Sequence, residues 1–476
     1  MEKIQNFIGG ELVPPRNGKY IDNYNPSTGE VYSLVPDSEE QDALDAIAAA
    51  KAAFPAWKKT TKEERASILR KLAELIRDNF EEFVIAESRD NGKPVKVSEH
   101  VDIPRSSKNL EYYADEILKF EGERFSDEGM GENYLEYYPI GPVVSISPWN
   151  LPLYLFTWKI APALAAGNTV VAKPSEVTPM TAYMFTKLCN EAGFPKGVLN
   201  VIHGLGHKVG DTLTTHKDIK AVSFTGSTAT GKVIAKNAGA HMKKYSLEMG
   251  GKNPNIIFAD CDFDEALSVT MRSSFANQGQ ICLCGSRIFI ERPIYEKFKE
   301  AMLVKTKKLR QGDPLEASTQ QGAVVSEAHM NKIISFFDIA KSEGGNILIG
   351  GKRADRPGYF IEPTIIENLD ASCRTNQEEI FGPVVTITPF DKEDEVVEWA
   401  NSTEYGLSGS VWTKDLNKAK RVASAIDSGV VWINTWLMRD LRTPFGGMKE
   451  SGRGREGGTY ALKFYSDVKN ICINNS

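Results

Sequence analysis

From residue 141 onward the chain repeats one pattern, a short β-rich run followed by a helical stretch. VVSIS (143–147), NTVVAK (168–173), GVLNVI (197–202) and AVSFTG (221–226) are the strand members of a first series. Such alternation is the signature of a parallel sheet with helices on its faces. A second series, with RIFIE, VVTITPF, GSVWT and GVVWINT as strand candidates, calls for a second α/β layer. The length agrees, because 476 residues exceed the roughly 250 to 300 at which single cores stop growing.

Before this alternation lies a helical third. Thr61 with Glu64 forms a capping box ahead of Ile68, Leu69, Leu72, Leu75 and Ile76, which recur at helical spacing. Two stretches fit no doubly wound layer: GERFSDEGMGENYLEYYPIG (121–140), which reads as an extended ribbon, and the strand-like DVKNICINNS at the C-terminus. Both are candidates for pairing with another subunit.

Charge and cysteine usage exclude several functions. Lysine and arginine number 57 against 63 acids, a net charge of −6 with the signs interspersed, so no basic stripe exists to track nucleic acid. No apolar run of about 18 residues occurs and no basic leader with an apolar core opens the chain, so neither export nor a membrane span is expected. A reducing cytoplasm is the expected setting, where the Asn401-Ser402-Thr403 sequon carries no meaning. Six cysteines, widely spaced apart from Cys282 and Cys284, make no disulfide framework.

Several loops offer ligand chemistry. Gly204, Gly206 and Gly210 miss the dinucleotide fingerprint by one residue, and a plain turn explains them. Gly226 and Ser227 end a strand and open a helix whose free N–H groups suit a pyrophosphate, although an ordinary capped helix would read the same. Lys173 and Glu176 end another strand, where open α/β sheets bind ligands; a surface ion pair is the alternative. His203 and His207 flank a glycine turn with no further ligand nearby, so no metal site is expected.

FANQGQICLCGSR (275–287) holds the cysteine pair. A zinc clip needs C-x2-4-C and a second pair, and a thioredoxin-like site needs C-x-x-C, so structural sulfur is the main competitor to a nucleophile. Glu248, in SLEMGGKNP, supplies a carboxylate on another Gly-flanked loop, and a thiol with a separate base suits covalent catalysis.

These motifs together resemble the NAD(P)-dependent aldehyde dehydrogenases. The resemblance is carried by SPWNLP (147–152), WKIAPALAAGNTVVAKPSE (158–176), SFTGSTATG (223–231), LEMGGKNP (247–254), FANQGQICLCGSR, EEIFGPV (378–384) and PFGGMKESGRGRE (444–456), and covers nearly the whole chain. It implies the α/β aldehyde dehydrogenase fold: a Rossmann-like NAD-binding domain (1–120 and 141–249), an α/β catalytic domain (250–450) and a small β oligomerisation ribbon from 121–140 and 451–476. A homo-oligomer, dimer or tetramer, is implied with it.

By the same resemblance Cys282 is the nucleophile, Glu248 the general base and Asn150 the oxyanion donor, with Cys284 inert. Lys159 and Glu176 would position the adenosine ribose with Lys173 beside them, Trp149, Gly226 and Ser227 the pyrophosphate, and Glu379 and Phe381 the nicotinamide ribose and ring. Glu176 favours NAD over NADP, because a carboxylate accepts from a 2′-hydroxyl and repels a 2′-phosphate. Many family members carry a glutamate along the helix after SGRGRE; Thr459 stands near there, which puts a second proton relay in doubt.

VDIPRSSKN (101–109), the Leu-Pro-Leu-Tyr run at 151–154, the ICLC loop and NTWLMRDLRTPFGG (434–447) are similar to the branch that oxidises 2-aminomuconate and 2-hydroxymuconate semialdehydes. In that branch an arginine from each of the first and last of these stretches faces the substrate, here Arg105 and Arg439. A planar guanidinium can grip a distal carboxylate bidentately. The alternatives are solvated pairs of Arg105 with Asp102 and Arg439 with Asp440; Arg442 is a lesser candidate contact. A neutral apolar aldehyde such as retinal is the runner-up substrate, and a non-catalytic binding protein or an ester hydrolase are the other classes weighed.

Overall fold

The computed structural model describes residues 1–127 and 131–474. The expected ribbon segments include 128–130 and 475–476, which lie outside the described residues. Two large sheets organise the chain. The first has eight strands, in spatial order Gly452–Arg453, Lys244–Glu248, Ala221–Thr225, Pro142–Ile146, Thr169–Lys173, Leu199–Val201, Asn6–Ile8 and Glu11–Val13. The five central strands are parallel and the outer ones antiparallel.

The chain runs outward from Pro142–Ile146 in one direction, then returns to lay Ala221–Thr225 on its other side. That reversal splays apart the two loops that follow these strands, leaving a crevice at their C-terminal ends. Trp149 and Asn150 emerge on one side of it, Gly226 and Ser227 on the other.

From strand Lys244–Glu248 of the first sheet the chain passes to Pro254–Ile257, which belongs to a second sheet of seven strands. All its pairings are parallel except Asn346–Ile349 against Thr364–Glu367. The C-terminal edge of the first sheet thus meets the N-terminal edge of the second, where the loops of Glu248 and Cys282 lie.

Helix Lys62–Asp78 begins where its capping box requires: Glu64 N donates to Thr61 Oγ1 (3.1 Å) and Thr61 N to Glu64 Oε2 (2.7 Å). It buries Leu69, Leu72, Leu75 and Ile76 in a core shared with helices Ile103–Lys119 and Pro152–Ala165. Each such side chain is worth about 1.5–3 kcal/mol of burial. A π-helical turn, Ser98–Asp102, precedes Ile103–Lys119.

Strands Arg124–Asp127, Gly131–Pro139 and Ser466–Ile473 form a separate antiparallel ribbon. The segment from 451 divides: Gly452–Arg453 pairs into the first sheet, helix Gly458–Phe464 buries Ala461 and Leu462 in the core, and Ser466–Ile473 joins the ribbon. Among the described residues, no helix is long and apolar enough to cross a membrane.

Candidate active site

Helix Phe263–Phe275 ends in a tight turn that takes Asn277 (φ 50°) and Gln278 (φ 55°) through the left-handed region. Such backbone costs energy in non-glycine residues and persists only where neighbours hold it. Here Asn277 Nδ2 donates to the Asn150 carbonyl (2.9 Å), Gln278 Nε2 to that of Ala323 (2.8 Å), and Val325 N to Gln280 Oε1 (3.0 Å). The fixed turn delivers Cys282 half-buried at the floor of a cavity of about 830 Å³.

Asn253 Nδ2 grips the carbonyls of both Cys282 (2.7 Å) and Cys284 (2.8 Å). Burial, reinforced by Glu379 and Glu248, holds the Cys282 thiol well above its ordinary pKa, so it rests protonated. Cys284 packs in the apolar core and is pushed up to about 12 by burial.

Glu248 ends its strand in the same cavity, buried, and neither carboxylate oxygen has a hydrogen-bond partner among the described residues. A Cβ on Gly446 would sit 2.8 Å from both Glu248 Oε1 and the Gly454 carbonyl oxygen, so a side chain there would have to displace backbone as well as this carboxylate. Burial first, then Glu456, raises its pKa well above the usual carboxylate range.

The structure corrects one expectation here. Lys159 does not approach Glu176: it lies in helix Pro152–Ala165, fully buried, donating to Glu456 Oε1 (2.8 Å) and Ser223 Oγ (3.0 Å). The lysine beside Glu176 is Lys173 (3.0 Å), because strand Thr169–Lys173 ends at that carboxylate. Where the sequence has Thr459 in place of a glutamate, the structure brings in a carboxylate from Glu456, the last residue of SGRGRE, which also accepts from Trp158 Nε1 (2.7 Å). Lys159 and Glu456 both act electrostatically on Glu248, giving an ionisable chain that leads inward from the cavity.

Asn150 is buried; its Nδ2 donates to the Gln280 carbonyl (3.0 Å), which brings its amide beside the Cys282 turn. Its own carbonyl also accepts from Lys93 Nζ (2.9 Å). Lys93 is fully buried, paired with Asp102 and 3.9 Å from Glu87. Glu87 in turn accepts from Leu153 N (3.2 Å) and Thr181 Oγ1 (2.6 Å), and burial raises it to about 8.

At the crevice, Ser227 caps the 13-residue helix Thr228–Ala240 through Thr230 N (3.3 Å), with Gly226 just before it. Trp149, half-buried, meets Phe381 edge-on at 5.3 Å, and His329 completes the cluster by bonding the Phe381 carbonyl (2.7 Å). Glu379 accepts from Gly251 N (2.8 Å), and a Cβ on Gly250 would lie 2.2 Å from its carboxylate. Helix N-terminus, Lys173–Glu176 pair and Glu379 form a donor and acceptor set that fits a dinucleotide: N–H groups for phosphate, carboxylates for ribose hydroxyls.

Across the cavity, Arg105 and Arg439 flank Tyr154. The Arg105 guanidinium carbon lies 5.5 Å from the Tyr154 ring centre, and Arg439 Nη1 donates to the Tyr154 hydroxyl (3.1 Å). Arg439 is stacked between Phe445 (4.0 Å) and Trp158 (4.6 Å). Neither alternative ion pair forms, because Asp102 is taken by Lys93 and Asp440 by Arg442. Arg105 Nε and Arg439 Nη2 are buried without partners among the described residues. Tyr154, Lys93, His329 and Glu456 were assigned no role from the sequence; of these, Tyr154 and Glu456 had a signal, each as the last residue of a quoted stretch.

Residues 13–471 match the model of the aldehyde dehydrogenase family. The 2-aminomuconic semialdehyde dehydrogenase of Danio rerio is 48% identical over 478 residues, covering 99% of this chain and 98% of that protein. A 2-hydroxymuconic semialdehyde dehydrogenase from a Pseudomonas strain is 43% identical, with 99% of this chain and 100% of that one covered. The crystal structure of betaine aldehyde dehydrogenase from Staphylococcus aureus in complex with NAD+ superposes with a TM-score of 0.96 at 42% identity, over 98% of this chain and 94% of that one. With sequence and fold alike along its whole length, the chain belongs to the aldehyde dehydrogenase family.

Proposed function

We propose that this aldehyde dehydrogenase uses NAD to oxidise a short conjugated aldehyde with a carboxylate at its far end, of the 2-aminomuconic or 2-hydroxymuconic semialdehyde type. The observation that carries the reading is the pair of buried guanidinium nitrogens, Arg105 Nε and Arg439 Nη2, left without partners at the cavity wall. A buried cationic donor without an acceptor costs several times an ordinary hydrogen bond, and a substrate carboxylate would relieve that cost. The two curated relatives described above act on such semialdehydes by name. The remaining walls, Val97, Val101, Leu151, Leu155 and Leu437, are apolar and would pack the conjugated chain. A neutral apolar aldehyde suits those walls but leaves Arg105 Nε and Arg439 Nη2 without an acceptor.

In this reading Cys282 gives up its thiol proton to solvent and adds as the thiolate to the aldehyde carbon, and the oxyanion of the thiohemiacetal takes a hydrogen bond from Asn150. One such donor is worth about 2.7–4 kcal/mol of barrier. NAD, when bound, supplies the hydride acceptor that converts this adduct to a thioester. Gly226 and Ser227 would hold the pyrophosphate with Trp149 beside it, Lys173 and Glu176 the adenosine ribose, and Glu379 and Phe381 the nicotinamide side. Glu248 takes the proton of the water that cleaves the thioester, and Glu456 with Lys159 carries that proton away from the cavity. The first sheet, with 1–120 and 141–249, serves as the cofactor-binding domain and 250–450 as the catalytic domain.

Converting Arg105 or Arg439 to Ala is expected to raise KM for the semialdehyde acid by about tenfold to a hundredfold, the equivalent of about 1.5–3 kcal/mol for a charge-assisted bond. Turnover of a neutral aldehyde of similar length should change little. Equal effects on both substrates, or a wild-type preference for long neutral aldehydes, would transfer the assignment to the apolar class.

The ribbon adds a quaternary reading. Ser466–Ile473 pairs on one side with Gly131–Pro139, and Val468 and Ile473 are exposed along it. A second copy of the chain covering that edge accounts for both features. Light scattering should therefore give a dimeric or tetrameric mass, and a monomer at micromolar concentration would contradict it.

A further inference from the structure

The whole chain carries a net charge of −6, yet the mouth of the substrate cavity has the opposite sign. Lys96 and Lys108, on either side of the π-helical turn, and Arg272, near the end of helix Phe263–Phe275, all line the cavity. All three are exposed, and among the described residues none is in a salt bridge. Arg272 has its guanidinium carbon 5.9 Å from the Trp436 ring centre.

Few acids oppose them. Glu99 lies 3.7 Å from His100, Asp440 is salt-bridged to Arg442 although Lys108 also acts on it electrostatically, and the carboxylates of Glu248 and Glu456 are buried at the cavity floor. Three exposed cations without salt bridges among the described residues thus line the same cavity as Arg105 and Arg439, whose other walls are apolar.

We propose that Lys96, Lys108 and Arg272 form a collecting rim for carboxylate-bearing aldehydes, raising the rate at which the anion reaches the two arginines without touching it once bound. The proposal rests on the carboxylate-substrate reading above. A cleft lined by one sign of charge with low-dielectric walls focuses the field outward and raises the local concentration of the opposite ion, by about tenfold to a thousandfold in association rate. Because the rim is solvated, its reach is set by the Debye length, about 30 Å at 0.01 M salt and about 8 Å at physiological ionic strength. The arginines, half-buried and stacked on aromatic rings, are screened less.

The test is kcat/KM against ionic strength, for wild type and the Lys96→Gln/Lys108→Gln/Arg272→Gln variant, with 2-hydroxymuconic semialdehyde and a neutral aldehyde of similar length. For the acid, wild-type kcat/KM should fall steeply as salt rises. The variant should start about tenfold lower at low salt, follow a flatter slope and converge with wild type at high salt, with kcat unchanged. The neutral aldehyde should respond to neither salt nor substitution. A variant with the wild-type slope would overturn the rim and leave the arginine clamp standing, since the clamp is read from the preference for the acid at high salt. Loss of that preference in wild type would overturn both readings, and equal losses on both substrates would mark a fold defect and overturn the rim.

Discussion

Cys282→Ser should abolish aldehyde oxidation, lowering turnover by at least about a thousandfold, while NAD affinity measured by calorimetry stays near that of wild type. The size follows from the chemistry: an aldehyde has no tetrahedral carbon from which hydride can leave, and the thiolate creates one. A serine hydroxyl is a much weaker nucleophile at neutral pH. The left-handed turn at Asn277 and Gln278 does not depend on the sulfur, so the variant should fold and melt like wild type. Cys284→Ser is the control. Its sulfur is buried in the core away from the cavity lining, so most activity should survive. If Cys284→Ser were the dead variant, the nucleophile would have been misplaced by two residues.

Glu248→Ala should separate the two halves of the reaction. A first turnover should still release about one equivalent of NADH per site, then stall as a thioester visible by intact mass, with steady-state turnover lower by about 10²–10⁴. Wild-type turnover should climb as pH rises above neutral. Both Glu248 and Cys282 are acids held above their ordinary pKa by burial, so each reaches its reactive, deprotonated form only at higher pH. In Glu248→Ala the burst should keep an alkaline rise, because Cys282 still titrates, whereas the residual steady-state rate should lose the part due to Glu248. A variant with no burst would assign Glu248 to the first half instead.

The alternation of β-rich and helical runs made both parallel layers legible in the sequence, and the capping box of Thr61 and Glu64 made one helix start legible. What escaped has physical reasons. Asn6–Ile8, Glu11–Val13 and Gly452–Arg453 extend the first sheet, but two or three residues are too few to show a period. Lys159 and Lys173 sit in one quoted motif, and only the structure shows the first inside a helix and the second at a strand end. Glu456 meets Lys159 across 297 residues of chain, a pairing that no local pattern announces. Cys282, Glu248 and Glu379 of the candidate site were legible because the family resemblance fixed their register, whereas the cations at its mouth belong to no motif.

The buried lysine at position 93 bears on how such an enzyme can change in evolution. Through one ammonium group it ties the Asn150 carbonyl to Asp102, where the helix that presents Arg105 begins. The proposed oxyanion donor and one arm of the proposed clamp therefore share an anchor. Sliding that helix to admit a longer aldehyde would drag the donor off the reacting carbon or leave a charge stranded in the core. New substrates are reached more cheaply by exchanging wall side chains such as Val97, Leu151 or Leu437, so that diversification proceeds by refurnishing the cavity while its frame stays put.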